Sequence, residues 1–588
     1  MSQMERLWAA ISVLLVFVYV VIRALYVPTF HDEAATIFHY LVPGKFLPYE
    51  AHWDANNHIL NSALAYYCYK WFGFELIWIR LPNVLSFLIF GFYVIRMSAN
   101  FKSQLVRVLV FLALITAAFP LEFFAQARGY GMSMAFLFGA IFHTYQFLLL
   151  GKTKDLVAVW LWMGFAVLAN LALINMFAIL MGITALQSVL QERGRGRNIL
   201  SLLAIGFPTL AFAVIYALEL KERGLLYTGF PDGFVKITVG SLLRHQFGIL
   251  SPVANWLVTM LGLSASFYLI VKFVSSGFHW TMGRLTGILL LLNAMASISL
   301  NFFLDVNFPE DRVGVYFFPL FLITIAGAID ELQKSTPSLR FFVLSLAIFP
   351  IHLLSVANFN TTLLWPPWHV SEGIYNFAVN KQKDAGKGLT ISSHYLNELG
   401  WSFWNFRNDA AMQPLQRVPV PDTLAELLLA RTYDFDFDKV PYHVIYLDEP
   451  NGLHLLERNT PVTWLPSAIL RPRLTEINGA NEFYELFNDS ISILPGKTGR
   501  LEFSVSIKVE SGVWQGHLLV TSANANGEGQ YDYIPMHWLR PEWNGDELHL
   551  KRTYHFADDA QTFKVYFWNM NGQEIHISIS DFSFSVPE

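Results

Sequence analysis

Long apolar runs recur through the first 357 residues of the chain and limit what this part can fold into. A segment needs about 20 mostly apolar residues to cross the hydrocarbon core of a bilayer as a helix. The chain has 588 residues, of which 54% are hydrophobic and only 14% are charged, whereas soluble domains are about one quarter charged. The sequence therefore predicts a polytopic α-helical membrane protein with about 11 spans. The runs lie at about 7–26, 78–96, 105–121, 130–150, 156–172, 174–190, 199–218, 252–274, 284–304, 313–330 and 340–357.

Basic residues between these runs predict the orientation of the spans. They fall in alternate loops, which the positive-inside rule assigns to the cytoplasm. With this orientation the N-terminus is inside, and everything after Val356 is outside. The first run is longer than the apolar core of a signal peptide and no A-x-A site follows it, so we expect an uncleaved span. The basic residues are Arg96, Lys102, Arg107, Lys152, Lys154, Arg193, Arg195, Arg197, Lys272, Arg284, Lys334 and Arg340.

The apolar segment 58–72 is not counted as a membrane span in this arrangement. Counting it as a span would move the loop at 96–107 outside and would reverse every later loop. We therefore expect a helix that dips into the outer face of the membrane. A tight hairpin with the next span is the alternative.

Charge and cysteine content exclude two classes of function. The net charge of −5 is spread over the whole chain and no basic cluster is present, so we expect no nucleic-acid partner. Cys68 is the single cysteine, which excludes an intrachain disulfide and a cysteine-rich metal site.

The composition becomes that of a soluble protein after residue 357. A linker at 358–369 leads into residues 370–475, where mixed helical and strand patterns predict a small extracytoplasmic α/β domain. From 480 to 588 apolar residues alternate with polar ones, which predicts a β-sandwich of jelly-roll type. The alternation changes phase after Asp581, as a β-bulge would require. The last strands are similar to those of carbohydrate-binding sandwich domains, whose function is either sugar binding or packing.

The loop at 28–58 carries acidic residues directly after the first span. A carboxylate in that position is costly unless it has a function. A transfer from a phosphate leaving group to the hydroxyl of an acceptor needs a general base at that hydroxyl. Asp32 is therefore a candidate for this base, and Glu33 is its neighbour or a ligand of the acceptor. The alternative is that both acids only stabilise the N-terminus of the helix that follows.

Three arginines lie at the edges of spans on the predicted outer side, where the positive-inside rule expects few basic residues. Arg80, Arg128 and Arg312 each carry the planar guanidinium that suits a lipid phosphate. The alternative is a structural salt bridge between each arginine and a nearby acid. Those acids are Glu75, Glu122 and Asp311.

The sequence HWDANNH at 52–58 offers two kinds of site. His52, Asp54 and His58 are weak candidates for ligands of a divalent metal, and their spacing matches no closed metal motif. The stronger expectation is a hydrogen-bonded loop in which Asn56, Asn57 and His58 line the pocket of a sugar donor.

Five short motifs follow one another in a recognisable order. HDEA at 31–34 is followed by NNH at 56–58, WIRLPN at 78–83, ARGYG at 127–131 and PEDRVGVYF at 309–317. This order resembles that of the GT-C glycosyltransferases, in particular the branch of the protein O-mannosyltransferases and lipid A aminoarabinose transferases. The resemblance covers about residues 7–357.

The resemblance implies an inverting transfer at the outer face of the membrane, from a polyprenyl-phosphate sugar to an acceptor hydroxyl. It matches Asp32 with the family's catalytic acid and Glu33 with its acidic neighbour, and it matches Arg128 and Arg312 with positions that bind the lipid phosphate. It implies no nucleotide, and a divalent metal is not expected. The further candidates for donor binding are Tyr130, Arg80, Asn57 and His58.

Two motifs depart from the family's pattern. NNHIL stands where many relatives have NHPP, KPP or NNPPL, so the family does not imply a donor contact for His58. PEDR stands where an ERY-like pattern is common, which leaves open whether Glu310 or Asp311 takes part. The acceptor is a glycan, a lipid or a protein, and we expect a bacterial inner-membrane protein with its C-terminal domains in the periplasm.

Two other classes of function remain as alternatives. A non-catalytic transporter or scaffold for lipid-linked glycans would place its polar groups midway in broken, paired helices, whereas here they cluster at one face. A sugar-binding membrane receptor would depend on the β-sandwich.

Overall fold

The computed structural model describes residues 1–191, 194–333, 337–363, 368–434, 436–466, 472–490, 498–540 and 542–588. Arg193, Lys334 and residues 364–367 of the predicted linker lie outside the described residues, and the side chain of Arg340 is also not described.

The helices are numbered here in chain order. They are α1 (Gln3–Tyr26), α2 (His31–Thr36), α3 (Ile59–Phe72), α4 (Leu76–Ser98), α5 (Gln104–Thr116), α6 (Ala118–Glu122), α7 (Gly129–Leu150), α8 (Thr153–Ala169), α9 (Ile174–Leu190), α10 (Arg195–Ser201), α11 (Phe207–Glu222), α12 (Gly240–Phe247), α13 (Pro252–Ser275), α14 (Met282–Leu304), α15 (Phe317–Leu332), α16 (Ile348–Val356), α17 (Glu372–Ala385) and α18 (Glu398–Arg407). A π-helix, Ile37–Leu41, continues α2, and a 3-10 helix, Asp311–Gly314, precedes α15.

The strands of the described residues lie in the C-terminal part of the chain. They are β1 (Ile391–Ser393), β2 (Leu427–Ala430), β3 (Tyr442–Asp448), β4 (Leu453–Arg458), β5 (Trp464–Pro466), β6 (Glu476–Gly479), β7 (Phe483–Ser490), β8 (Thr498–Val509), β9 (Gly516–Ala523), β10 (Gly529–Pro535), β11 (Asn544–His555), β12 (Thr562–Asn569) and β13 (Ile575–Pro587).

The N-terminal helices confirm a polytopic membrane protein. Within the described residues, 8 helical segments are long and apolar enough to cross a bilayer, or 9 if the pair Gln104–Thr116 and Ala118–Ala125, bent by 49°, is one span. Two of the predicted runs form shorter helices, namely α8 with 17 residues and the segment Phe341–Val356. Helix α3 has 14 residues. At 1.5 Å per residue α3 is about 21 Å long and does not span a core of about 30 Å.

The described chain forms two compact units. The first comprises Met1–Val27 and Lys45–Leu364, and the second comprises Pro28–Gly44 and Trp365–Glu588. The segment Pro28–Gly44, which we call the acidic segment, therefore belongs to the same unit as the C-terminal domains. The predicted bounds at 1–357, 358–369, 370–475 and 480–588 stay predictions.

Small residues allow helices of the first unit to approach closely. A Cβ on Gly283 in α14 would lie 2.7 Å from the Cα of Gly327 in α15, and one on Gly327 would lie 2.5 Å from the Cα of Gly283. Both distances are far below van der Waals contact, so the α14–α15 crossing requires glycine on both sides. Such close contacts are a common way to pack membrane helices, because lipid gives little hydrophobic drive for association.

The second unit contains one mixed sheet and two antiparallel sheets. The mixed sheet has the order β1-β2-β4-β3, with β1 parallel to β2, and belongs to the predicted α/β part. The other sheets have the orders β10-β9-β12-β7 and β11-β8-β13-β5, with β6 also paired to β13. Their inward residues share one apolar core, which includes Phe503, Val505, Phe567 and Ile577. This is the predicted β-sandwich.

The predicted phase change after Asp581 is a β-bulge. The pairing of β13 with β8 shifts register between Ser580 and Ser583, and Asp581 has a φ of 54°. The extra residue moves Phe584 onto the core side, where it is 2% exposed.

Candidate functional site

A network of asparagines fixes the turn that precedes α7 in the first unit. The Asn61 amide donates to the carbonyl of Ala127 at 2.9 Å. Asn83 donates to the Asn61 side chain and accepts a hydrogen bond of 3.0 Å from the backbone N–H of Met132. Helices α3 and α4 therefore hold both ends of the turn that carries Arg128.

The two glycines of ARGYG permit a close approach of backbones in the same turn. A Cβ on Gly129 would lie 1.9 Å from the carbonyl oxygen of Ala169 and 2.8 Å from the Cβ of His58. A Cβ on Gly131 would lie 2.6 Å from the carbonyl oxygen of Phe123. The glycines are thus needed for packing, and they bring the motif against α8 and against the loop before α3.

Tyr130 is the point at which three of the motifs meet. Arg312 donates from Nε to the Tyr130 hydroxyl at 3.2 Å, and the Arg128 guanidinium carbon lies 5.6 Å from the centre of the Tyr130 ring. The His58 ring contacts the same tyrosine edge-on, with 4.6 Å between ring centres. Arg128 is 1% exposed, whereas Arg312 is partly exposed. Residues far apart in sequence therefore form one cluster, which we call the Tyr130 cluster: His58, Arg128, Tyr130 and Arg312.

His58 is held within this cluster by its other edge. Its Nδ1 donates to the carbonyl of Ala169 at 2.7 Å, since a carbonyl oxygen can only accept. This bond fixes the orientation of the imidazole against the Tyr130 ring.

The remaining polar residues of the loop at 52–58 stabilise the loop itself. Asn57 donates to the carbonyl of Phe46 at 3.1 Å and accepts from Ser62 at 3.2 Å. Asp54 accepts from the N–H of Asn56 at 2.8 Å, which forms an Asx turn. No group of three histidine, cysteine or acidic side chains is placed to hold a metal ion anywhere in the part of the chain that the structure describes.

Arg80 binds the C-terminal end of the first span. Its Nη1 donates to the carbonyls of Ala24 at 3.0 Å and Val27 at 2.7 Å, and the side chain is fully buried. A cation at the C-terminus of a helix is favourable because the last carbonyls lack partners within the helix. These contacts give Arg80 a structural role at the point where the chain leaves α1.

The acids considered as structural partners of Arg128 and Arg312 also bind other side chains. Both carboxylate oxygens of Glu122 accept from Nη2 of Arg23, at 2.9 and 3.0 Å, with both side chains buried. Asp311 accepts from Nη2 of Arg244 at 3.0 Å and from Nε2 of His245 at 2.7 Å.

Arg244 and His245 were missed in the sequence, although they form an adjacent pair of basic residues in a predicted outer loop. They end α12, where His245 stacks on Phe119 with 5.2 Å between ring centres. Their contacts fix Asp311, and Asp311 precedes Arg312 in the chain. Helix α12 thereby helps to place Arg312 of the Tyr130 cluster.

Glu310 lies beside Asp311 and also contacts Arg244. Its carboxylate is 3.6 Å from Nη2 of Arg244 and accepts from the Tyr227 hydroxyl at 3.4 Å. Burial raises the pKa of Glu310 above its usual value, and the neighbouring charge of Asp311 acts in the same direction.

An apolar cavity of about 190 Å³ lies among α12, α13, α14 and α15. Its walls are almost entirely apolar and include Leu242, Leu243, Phe317 and Phe318. The leucines precede Arg244 and His245 on α12. The same short helix therefore contributes to an apolar cavity and to the polar contacts around Asp311.

The acidic segment lies in the second unit. Asp32 and Glu33 occupy the first turn of α2, whose N-cap is Phe30 and has no side-chain cap hydrogen bond. Neither acid is therefore the N-cap of this helix, although both are placed to interact with its dipole. A π-helical turn follows directly, a feature often found at functional sites.

Comparisons with known proteins gave matches among solved structures. The chain is similar to ArnT from Cupriavidus metallidurans bound to undecaprenyl phosphate, with 12% identity, 78% of this chain and 99% of that chain covered, and a TM-score of 0.43. It is similar to the arabinosyltransferase EmbB from Mycobacterium smegmatis, with 14% identity, 98% and 64% covered, and a TM-score of 0.37. It is also similar to the oligosaccharyltransferase AglB from Archaeoglobus fulgidus in complex with an inhibitory peptide and a dolichol-phosphate, with 9% identity, 97% of each chain covered, and a TM-score of 0.40.

These three proteins are GT-C glycosyltransferases, the family that the ordered motifs resemble. At TM-scores of 0.43 and below, the similarity assigns neither a donor nor an acceptor to this chain. No protein-family model matches the sequence, and no curated protein sequence matches it.

Proposed function

We propose that the protein is a membrane glycosyltransferase that moves a sugar from a polyprenyl-phosphate donor to an acceptor hydroxyl with inversion. The observation that carries this proposal is the Tyr130 cluster. It joins residues of the NNH, ARGYG and PEDR motifs around one tyrosine. Motifs that resemble one family only in their order in the sequence are here in contact in space.

The arginines of the cluster suit a phosphate leaving group. Two guanidinium groups around one tyrosine concentrate positive charge and offer planar sets of N–H donors, which match the oxygens of a phosphate. As the bond between sugar and phosphate breaks, negative charge grows on the departing phosphate and strengthens these interactions. Arg128 and Arg312 would thus bind the transition state more tightly than the substrate.

The apolar cavity suits the hydrocarbon part of such a donor. Its almost entirely apolar walls would accept an isoprenoid chain while burying little polar surface. Helix α12 links this cavity to the contacts around Asp311, the residue before Arg312. A donor with an anionic group next to a long apolar chain would fit an apolar cavity that adjoins a cluster of arginines.

Asp32 would act as the general base for the acceptor. An inverting transfer needs a carboxylate that accepts the proton of the attacking hydroxyl while the phosphate departs on the other side of the sugar. Glu33, on the same turn, would orient the acceptor. We further propose that transfer takes place at the outer face of a bacterial inner membrane, to a hydroxyl of a glycan, a lipid or a protein, with the C-terminal domains in the periplasm.

The proposal is tested with the purified full-length protein in detergent. It is incubated with a panel of radiolabelled polyprenyl-phosphate hexoses and pentoses, with candidate acceptors, and with or without EDTA. Release of the sugar from one lipid carrier supports the proposal, and the EDTA series shows whether a metal is needed. A folded protein that neither turns over any donor nor binds polyprenyl phosphate would refute it.

The phosphate role is tested separately by variants of the cluster. Arg128→Gln and Arg312→Gln should each weaken donor binding and turnover by about 10-fold or more, as expected for the loss of a hydrogen bond to a charged group. Arg96→Gln is the matched control, because Arg96 lies exposed at the other end of α4 from Arg80. Equal effects in all three variants would count against a phosphate site at the Tyr130 cluster.

A further inference from the structure

The acidic segment carries aromatic residues that pack inside the second unit. Phe38 stacks on Trp538 with 5.2 Å between ring centres and an interplanar angle of 29°. It also meets Phe406 edge-on at 5.7 Å, and His39 meets Trp538 edge-on at 5.4 Å. Phe38 is fully buried and Trp538 is 3% exposed. The segment is therefore anchored by one aromatic side chain of the sandwich and one of α18.

This anchor is mechanically connected to Asp32. Phe38 and His39 lie in the π-helix Ile37–Leu41, which continues α2 without interruption. Asp32 lies in the first turn of α2, so both ends belong to one hydrogen-bonded helical element. The same element is held at its start by His31, whose Nδ1 donates to the carbonyl of Leu396 at 3.3 Å. A displacement of the π-helix would therefore move the carboxylate of Asp32.

Trp538 lies beside the apolar core of the sandwich and contacts the acidic segment. It ends a 3-10 helix, Met536–Trp538, that directly follows β10. Met536 and Leu539 belong to the apolar core of the sandwich, as does Trp543, but Trp538 does not. The residues on either side of Trp538 thus fix the backbone in the sandwich, and the indole is directed at the acidic segment.

The sandwich is also joined to the neighbourhood of α18. The side-chain amide of Gln413 pairs with the backbone of β11. It donates to the carbonyl of His549 at 2.8 Å and accepts from the N–H of Lys551 at 2.8 Å. The backbone carbonyl of Gln413 in turn accepts from the indole of Trp401, in α18, at 3.0 Å. Phe406 and Trp538 are therefore held by connected parts of one unit.

We propose that the β-sandwich supports the acidic segment, and that Trp538 is a positioning residue for Asp32, acting through Phe38. This assignment rests on the proposed function for the role of Asp32. It gives the sandwich a task in the transfer reaction, because the buried indole of Trp538 contacts the acidic segment. Misplacement of a reacting group by about 1 Å can cost about 100-fold in rate, so the support of a catalytic carboxylate matters.

The test compares four full-length variants in the donor assay. Trp538→Ala should lower kcat by about 10- to 100-fold with the KM for the donor changed less than about twofold, because the Tyr130 cluster is intact. Trp538→Phe, which keeps an aromatic ring, should retain most of the activity, and Phe38→Leu should reproduce the loss from the other side of the contact. Tyr531→Ala is the control, since Tyr531 is an aromatic residue of β10 that is 55% exposed. Wild-type kcat in Trp538→Ala, or an equal loss in Tyr531→Ala, would overturn the proposal.

A second measurement does not depend on activity. Hydrogen–deuterium exchange of a peptide covering residues 30–41 should become faster in Trp538→Ala and in Phe38→Leu, and should stay as in the wild type in Tyr531→Ala. Unchanged protection in the first two variants would overturn the positioning role. If the wild-type protein transfers no sugar from any donor, the proposed function fails, while this exchange experiment still decides whether Trp538 holds the acidic segment.

Discussion

The hydroxyl of Tyr130 lies 3.2 Å from Nε of Arg312, although the two residues are 182 positions apart in the sequence. The contact joins the first turn of α7 to the 3-10 helix before α15. A tyrosine hydroxyl can accept from one arginine and still donate to a phosphate oxygen. Tyr130 therefore holds the guanidinium of Arg312 in place, and in the proposed site its hydroxyl would also donate to the phosphate of the donor.

Replacing Tyr130 by phenylalanine tests this relationship. The ring contacts with His58 and Arg128 would remain, but the partner of Arg312 Nε would be lost. We expect the KM for the donor to rise by about 10-fold, in line with about 1.5 kcal/mol for a hydrogen bond to a charged group. Tyr145→Phe, on the same helix, is the control and should behave as the wild type. If both variants have wild-type kinetics, the hydroxyl has no part in donor binding.

Much of this arrangement follows from patterns in the sequence. Apolar runs predicted the membrane part, and the alternation within 480–588 together with the phase change at Asp581 predicted the sandwich and its bulge. These signals are local, because each depends on the period of one helix or strand. The resemblance predicted that ARGYG and PEDR serve one site, and the contact between Tyr130 and Arg312 brings the two motifs together.

Other features depend on packing between distant segments and have no local signal. Arg244 and His245 reach Asp311 only because α12 docks beside the 3-10 helix. Arg80 was a candidate phosphate ligand, and its bonds to Ala24 and Val27 depend on how α4 crosses α1. The membership of Pro28–Gly44 in the C-terminal unit was also unforeseen, since the Phe38–Trp538 contact links residues from opposite ends of the chain.

Gly129→Ala should destabilise the membrane part. A Cβ at this position would lie 1.9 Å from the carbonyl oxygen of Ala169 and 2.8 Å from the Cβ of His58. The first atom belongs to the backbone and the second is bonded to it, so neither can move aside easily. We expect a cost of about 3 kcal/mol or more, or failure to fold, as for other overpacked sites. Gly182→Ala in α9 is the matched control, because nothing lies within 4 Å of a Cβ there. Thermal unfolding in detergent compares the two, and equal melting temperatures would contradict the described packing of the ARGYG motif.

Glu398 makes the second unit sensitive to pH. Burial raises the pKa of this carboxyl from 4.5 to about 7, although Arg417 and Arg552 oppose the shift, and Asp532 adds to it. Between these two values the unfolded chain loses the proton of Glu398 while the folded protein keeps it. The group therefore lowers stability as pH rises from about 4.5 to about 7, and its effect levels off above that range.

Glu398→Gln isolates this contribution. The variant should melt at a higher temperature than the wild type at pH 8, and the difference should shrink as the pH falls towards 5. All other titrating groups, including the buried His517 and His537, are common to both proteins and cancel in the difference. A difference in melting temperature that does not change between pH 5 and pH 8 would show that Glu398 titrates normally.

The most direct test of the account is the turnover of Asp32→Asn with the labelled polyprenyl-phosphate donor that the wild-type protein uses. The substitution keeps the size of the side chain and removes the base, so sugar transfer should fall by at least about 100-fold while donor binding and the melting temperature stay near wild type. Asp54→Asn serves as the control, because Asp54 accepts a local backbone hydrogen bond from Asn56, and it should remain active. An Asp32→Asn protein that transfers sugar at the wild-type rate would contradict the assignment of Asp32 as the general base.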